Sequence, residues 1–442
     1  MNDTPPELPS IRVAVADLNG QARGKRLRST AMNKLAAEGI RFPYSVLGLD
    51  IRGEDIQDSP LVFASGDPDG LLKPTGRGPV PMPWLSSGAV LVPIWMFHAD
   101  GVTPYAADPR QALAAVLARY AGRGWTPVTA TELEFYLVDD SGKGPQVPAS
   151  PGSATRRHQA DILSLRELDA FDAFFTELYA GCAAMDIPAD TASSEAGPGQ
   201  FEVTLTHQPD ALKTADDTWL FKILAQGLAR KHGCAACFMA KPYPDYAGNG
   251  LHCHFSVLDA AGGNIFDDGS AGGSPRLHHA VAGSMAAMAG TMVIFAPHAT
   301  SYDRFVPGAH APTAAAWGYE NRTTALRIPG GPPVARRIEH RVAGGDSNPY
   351  LFLVAVLGAA FAGLEEGHPP PPPLQGNAYD QNLPRLPTTW PDAIARFGAD
   401  PVTARLFAPG LIDAFTRTKR QELHKTRGLG AAELFALYVD TV

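Results

Sequence analysis

Over the first hundred residues, apolar and polar positions alternate in short runs between turn signals. Residues 11–18 and 90–95 show the period-two pattern best, and together they predict a small β unit. The texture changes at residues 108–120, D-P-R-Q-A-L-A-A-V-L-A-R-Y. There Ala112, Leu113, Val116 and Leu117 recur at helical spacing, Asp108 suits an N-cap and Pro109 the first turn. A domain boundary is expected near residue 105, dividing the chain into residues 1–105 and 106–442. Beyond it, residues 165–185, 211–231, 391–397 and the region from 411 onward read as helices. The apolar stretches 280–296 and 350–364 are too interrupted or too short to span a bilayer and read as buried helices. The proline run 369–373 reads as a stiff surface linker, and no internal repeat is visible.

Four strand-like segments carry charge on one face only. In residues 131–137, T-E-L-E-F-Y-L, period two sends Leu133, Phe135 and Leu137 one way. Glu132 and Glu134 point the other, about 7 Å apart by strand rise. Glu202 is likewise opposed to Phe201, Val203 and Leu205. His252, His254 and Ser256 share the face opposite Cys253, Phe255 and Val257. Arg337, Glu339 and Arg341 lie opposite Ile338. Any one of these is an ordinary half-solvated strand. Four in one unit predict a sheet whose inner face lines a charged cavity. Carboxylates crowded there repel one another and lose charge on desolvation unless cations hold them. A set rich in oxygen with few imidazoles favours Mg²⁺ or Mn²⁺ over zinc.

Composition narrows the picture. Of 442 residues, 45% are apolar and 19% charged, so the chain has material for a core and is not disordered. The net charge of −8, with nothing that resembles a basic domain, argues against a nucleic-acid partner. The first seven residues, M-N-D-T-P-P-E, lack the features of a secretory signal. Cys182, Cys234, Cys237 and Cys253 include one C-x-x-C without a second pair, which fits buried thiols in a reducing cytoplasm. No membrane partner is expected. Arg304, Arg322, Arg327, Arg336, Arg337 and Arg341 fall within 38 residues of the chain, beside the strand-borne carboxylates. Arginine forks suit phosphate or carboxylate, yet no G-x-x-x-x-G-K-[ST] is present. The residues alone point to metal-dependent phosphoryl transfer without a P-loop.

The motifs also resemble, in order, those of the glutamine synthetase family with type I architecture: T-E-L-E-F-Y from Thr131, E-A-G-P-G-Q-F-E from Glu195, G-N-G-L-H-C-H-F-S from Gly248, R-F-V-P-G from Arg304, E-N-R-T-T-A-L-R-I-P from Glu320, R-R-I-E-H-R from Arg336 and N-P-Y-L from Asn348. The resemblance covers roughly residues 10–400. It implies an α+β fold, with a β-grasp-like N-terminal domain and a catalytic domain whose antiparallel sheet forms a half-barrel flanked by helices. It implies ATP-dependent activation of the γ-carboxylate of glutamate and capture by an amine. Glu134, Glu195 and Glu202 match one metal site, and Glu132, His252 and Glu339 the other. Arg322 and Arg327 match catalytic residues; His254, Ser256, Arg322 and Arg337 match the ATP site; Gly248, Arg304, Arg327 and Arg341 match the glutamate site. Mg²⁺ or Mn²⁺ and ATP are the implied cofactors. A cytoplasmic dodecamer of two hexamers, with active sites between subunits, is the implied assembly.

The departures are specific. Ammonia-using members carry P-G-x-E-A-P in a flap; here it reads P-G-A-H-A-P, with His310 at the glutamate position. Asp50 is only a positional match for the ammonium-binding aspartate. These changes resemble the γ-glutamylpolyamine synthetase branch, which accepts larger amines. His310 is expected to act either as a base, since histidine titrates near neutrality, or as a steric gate. Trp317 and Tyr319 line either the amine pocket or the core. The alternatives are an ammonia-using enzyme, a guanidino phosphotransferase and a non-catalytic relative.

Overall fold

The computed structural model describes residues 10–142, 144–149, 156 and 161–442. The seven residues read for a secretory signal lie outside that set. Two sheets organise the described chain. The first contains β1 (Ile11–Ala16), β2 (Ala22–Leu27), β3 (Ile40–Pro43), β4 (Asp69–Pro74), β5 (Val80–Pro81) and β6 (Val90–Phe97). Its order is β2-β1-β6-β4-β3, with β5 beside β6, and only β1 and β6 run parallel. The basic strand β2 is largely exposed, a solvated hairpin arm against the buried β1.

The second sheet contains β7 (Thr126–Val138), β8 (Ala189–Ser194), β9 (Gln200–Gln208), β10 (Ala235–Cys237), β11 (Leu251–Leu258), β12 (Trp317–Tyr319), β13 (Leu326–Ile328) and β14 (Ile338–His340). Its order is β12-β13-β14-β11-β7-β9-β8, with β10 also on β7. All pairs are antiparallel except β12 with β13. This sheet curls into a half-barrel. Its apolar face, including Leu133, Phe135, Phe201, Val203, Cys253 and Phe255, is fully buried. It packs on helix Ala211–Lys231, with Phe135 and Phe221 edge to face at 6.2 Å. Thr131 and Thr218 pair hydroxyls at 2.9 Å beneath the same contact.

The helices form where capping and periodicity indicate. Asp108 accepts from the backbone N–H groups of Arg110 and Gln111, starting Pro109–Ala121. Asn348 does the same for Pro349–Glu366. That helix is apolar around its whole circumference because it is enclosed: 83% of its residues are buried inside the protein. It crosses Pro275–Met288 at a glycine pair, where a Cβ on Gly283 would lie 2.6 Å from the Cα of Gly363.

Two expected helices are broken. Residues 165–185 divide into Leu165–Ala170 and Asp172–Ala184 at Phe171, whose ring turns inward onto Phe201 at 5.4 Å. Residues 280–296 divide into the end of Pro275–Met288 and Met292–Phe295. At the break, the Thr291 hydroxyl bonds the Ala287 carbonyl. The proline run is exposed, yet it does more than link. The Pro371 carbonyl accepts from Trp317 Nε1 at 2.7 Å, and Leu374 N donates to the Trp317 carbonyl. Trp317 is therefore buried structure beside His278 rather than pocket lining. All four cysteines are buried and free.

Candidate active site

Strand register assembles the site. Arg327 pairs with Glu339, Glu339 with His254, His252 with Glu132, and Glu134 with Glu202. Because side chains alternate across a strand, these residues form adjacent rows on the polar face of the half-barrel. Glu195 follows β8, where Ser193 donates to it at 3.2 Å.

Glu132 is the hub. His252 Nδ1 lies 3.2 Å from one of its oxygens and His254 Nε2 lies 2.9 Å from the other. Burial pushes Glu132 up, but the two histidine contacts outweigh it and hold the carboxyl well below its usual range. Arg337 Nε donates to His254 Nδ1 at 3.2 Å, which leaves the His254 Nε2 proton directed at Glu132. His252 spends Nδ1 on Glu132, and its Nε2 is buried without a partner among the described residues.

Two other carboxylates lack compensation. Burial first, then Glu132, Glu134 and Glu195, push Glu202 up to about 9. Burial and Glu134 push Glu195 up to about 7, against Ser193 and the exposed Arg322. Crowded carboxylates and an orphaned imidazole nitrogen are the donor set of a hard divalent cation, so these residues fit Mg²⁺ or Mn²⁺. Ligand atoms of Glu132, Glu202 and His252 fall within 4.8 Å of one another, as do those of Glu132, His254 and Glu339. Glu134 and Glu195 fall in neither group and His252 stands with Glu202 rather than Glu339, and the grouping differs from the expected one in two further respects. His254, expected only at the nucleotide, sits within reach of a cation, because its ring is turned onto Glu132. Glu132 belongs to both groups.

The arginines border the carboxylates. Glu339 is enclosed by Arg327, at 2.8 Å, and by Arg341; burial pushes its carboxyl up, but Arg341 foremost brings it down to about 2. The Nε groups of Arg327 and Arg341 are buried without acceptors among the described residues. Such donors suit an anionic ligand. Arg304, also buried, donates to the Val342 carbonyl at 2.8 Å. Its methylenes cover Gly248, where a Cβ would come within 2.7 Å of Arg304 Cγ, so only glycine allows this approach. Arg304 and Gly248 thus stand together, with Arg341 close enough to act on the Arg304 charge. His254, Ser256 and Arg337, with Val334 and Ala335 on the lip, line a cleft of about 530 Å³ that begins at Glu132.

Two expected residues stand apart. His310 is exposed on the flap with φ 53°, outside the carboxylate cluster. Asp50 makes none of its contacts with the cluster. It is fully buried, accepts from the N–H groups of Arg52 and Glu54, and is held by Gln421 and Lys425. Within this chain its two oxygens are engaged by that turn and by the helix Pro409–Thr426. Sequence reasoning missed Glu320, whose carboxylate touches Arg327 at 3.1 Å. Its φ of 51° is visible only in the fold.

The glutamine synthetase catalytic-domain profile matches residues 106–433. The gamma-glutamylputrescine synthetase PuuA of Escherichia coli is 36% identical over 95% of this chain and 89% of its own length. The gamma-glutamylethanolamide synthetase GlnA4 of Streptomyces coelicolor is 30% identical over 94% and 89%. The glutamate–isopropylamine ligase of a Pseudomonas species is 28% identical over 98% and 95%. A solved structure of a GmaS complex with ADP superposes with a TM-score of 0.83, at 29% identity, over 96% of this chain and 94% of that one. The chain belongs to the glutamine synthetase family.

Proposed function

We propose that this ligase joins the γ-carboxylate of glutamate to an organic amine at the expense of ATP, by way of a γ-glutamyl phosphate. The observation that carries the reading is one cavity face that pairs carboxylates short of positive charge with arginines short of acceptors. That face suits a divalent cation and phosphates side by side. Arg304, Arg341 and the Gly248 backbone hold glutamate, and Arg322, Arg327 and Arg337 face the transferred phosphoryl group. Glu134, Glu195 and Glu202 would hold one divalent cation and Glu132, His252 and Glu339 a second, and the pair would supply charge neutralisation. His310 receives the proton of the incoming ammonium or shapes the opening. Residues 1–105 and 106–442 form the two domains, and two hexameric rings complete the sites between subunits.

The acceptor is an alkyl amine of the putrescine or monoamine kind rather than ammonium. Residues 304–312 contain no carboxylate to anchor a small cation, and the relatives named above are called synthetases or ligases of putrescine, ethanolamine and isopropylamine. The test is phosphate release with Mg²⁺-ATP and glutamate in the presence of ammonium, putrescine, spermidine, ethanolamine or isopropylamine. Release driven by one organic amine well above ammonium supports the reading. Ammonium as the best acceptor overturns the choice of amine, and no release with any acceptor overturns the ligase.

A further inference from the structure

Glu320 ends β12 in the left-handed region, with φ 51°, a conformation that a long side chain adopts at a cost. Its backbone N–H donates to the Ile328 carbonyl at 3.1 Å, and its side chain folds back over β13. There one carboxylate oxygen accepts from Arg327 Nη2 at 3.1 Å and from the backbone N–H of Gly330. The opposite edge of the same guanidinium, Nη1, donates to Glu339 at 2.8 Å. Arg327 therefore bridges a buried site carboxylate, 1% exposed, and a surface carboxylate, 58% exposed. Its Nε is buried without an acceptor among the described residues.

The magnitudes separate a stabilising role from a positioning one. An exposed Arg–Glu pair adds little to fold stability, too little to offset a strained backbone. Strain of this kind persists where the surroundings over-determine a site. Gly330 bears on the same point: its N–H is tied to Glu320, and a Cβ there would lie 3.3 Å from the carboxylate carbon. From Gly330 the chain runs to Val334 and Ala335 on the lip of the cleft. One side chain thus sets a guanidinium edge and the turn that leads to the lip.

We infer that Glu320 is a positioning residue: it fixes Arg327 from the solvent side, so that the guanidinium keeps its orientation when Glu339 turns to another partner. The inference rests on the ligase reading, in which Arg327 faces the transferred phosphoryl group. No residue of the cation cluster is altered in its test.

The test is a double-mutant cycle on amine-dependent phosphate release, using the acceptor from the panel above that gives the fastest release. Glu320→Ala is expected to lower kcat about 10- to 100-fold, with Tm unchanged. Glu320→Gln, which keeps an acceptor oxygen, is expected to recover most of the loss. Glu320→Gly relieves the left-handed backbone, so its Tm holds or rises while kcat falls as in the alanine variant. In an Arg327→Lys background, Glu320→Ala is expected to have little further effect. Unchanged kcat in Glu320→Ala overturns the inference, as does a loss that simply multiplies with that of Arg327→Lys. A kcat loss that tracks a lower Tm overturns it in favour of a structural role. If no amine supports release, the ligase reading fails, and the same cycle is read on the Kd for Mg²⁺-ADP by calorimetry. Additive or absent effects there overturn the positioning role independently.

Discussion

At the residue scale, the chemistry rests on groups held away from their ordinary ionisation. Glu202 and Glu195 are raised to about 9 and about 7, against an unperturbed 4.5. Their folded forms therefore keep protons that the unfolded chain has released. The sign follows directly: in metal-free protein they subtract stability as pH rises from about 4.5 toward 9. A divalent cation removes that burden and displaces the protons. We expect metal-free protein to lose Tm across this window and Mg²⁺ to restore it. At pH 7, calorimetry in buffers of different ionisation enthalpy should detect about one to two protons released per site. Uptake, or no exchange, would show that the cluster does not hold the metal. Glu202→Gln should reduce the release.

His310 stands where the ammonia-using pattern carries a glutamate, and the proposed acceptor choice is tested there. It is exposed and not bonded into the cluster, so its replacement leaves the glutamate and phosphate groups in place. His310→Glu restores the carboxylate of the ammonia-using pattern. We expect it to raise kcat/KM for ammonium about tenfold or more relative to the preferred organic amine. An unchanged ratio would remove the flap from the specificity argument.

At the element scale, the polar faces of β7, β9, β11 and β14 were legible because period two needs only neighbouring residues. Helix Ala211–Lys231 was legible from end to end, because its helical pattern is local. What stayed hidden is non-local. That His254 stands opposite Glu339 and bonds Glu132 depends on register across three strands, which neighbouring residues do not reveal. That Asp50 is held by Lys425, 375 positions away, is likewise invisible to any local pattern. Glu320 opened the motif E-N-R-T-T-A-L-R-I-P with no role assigned to it, since backbone strain leaves no mark in composition.

Helix Pro409–Thr426 also carries a buried ionic network invisible to pattern. Lys419 and Glu422 are both fully buried and 3.0 Å apart, and Glu422 also meets His298 at 2.7 Å and Tyr438 at 2.8 Å. Burial pushes Glu422 up, yet Lys419 and His298 bring it down to about 2. Its contribution is present above the unfolded value of 4.5 and disappears as pH falls toward 2. Removing one partner of a buried pair leaves an uncompensated charge. We expect Lys419→Met to lose about 3–5 kcal/mol in chemical denaturation at pH 7 and to flatten the acid limb of stability. A change under 1 kcal/mol would mean that the network is solvated.

At the scale of the whole molecule, the first sheet is joined to the half-barrel by both packing and hydrogen bonds. Ala14, Leu18 and Leu91 belong to the apolar core that contains Leu133 and Phe135. Asn348 donates to the Asp17 carbonyl, Trp219 to that of Gly20, and Lys419 to the Asn19 side chain. These joints hold the 11–20 segment on the helices that back the site. The alternation of polar and apolar residues revealed that a charged cavity exists; only the assembled sheet showed which groups lack partners.

The central claim is that glutamate is activated as an acyl phosphate before an amine captures it. The most direct measurement uses glutamate labelled with ¹⁸O in its γ-carboxylate, incubated with Mg²⁺-ATP and the preferred amine. Mass spectrometry then reads the released phosphate. We expect one ¹⁸O per phosphate, together with a γ-glutamyl amide that has lost one label. Unlabelled phosphate released at the same rate would mean that water attacks ATP directly, and would contradict the claim.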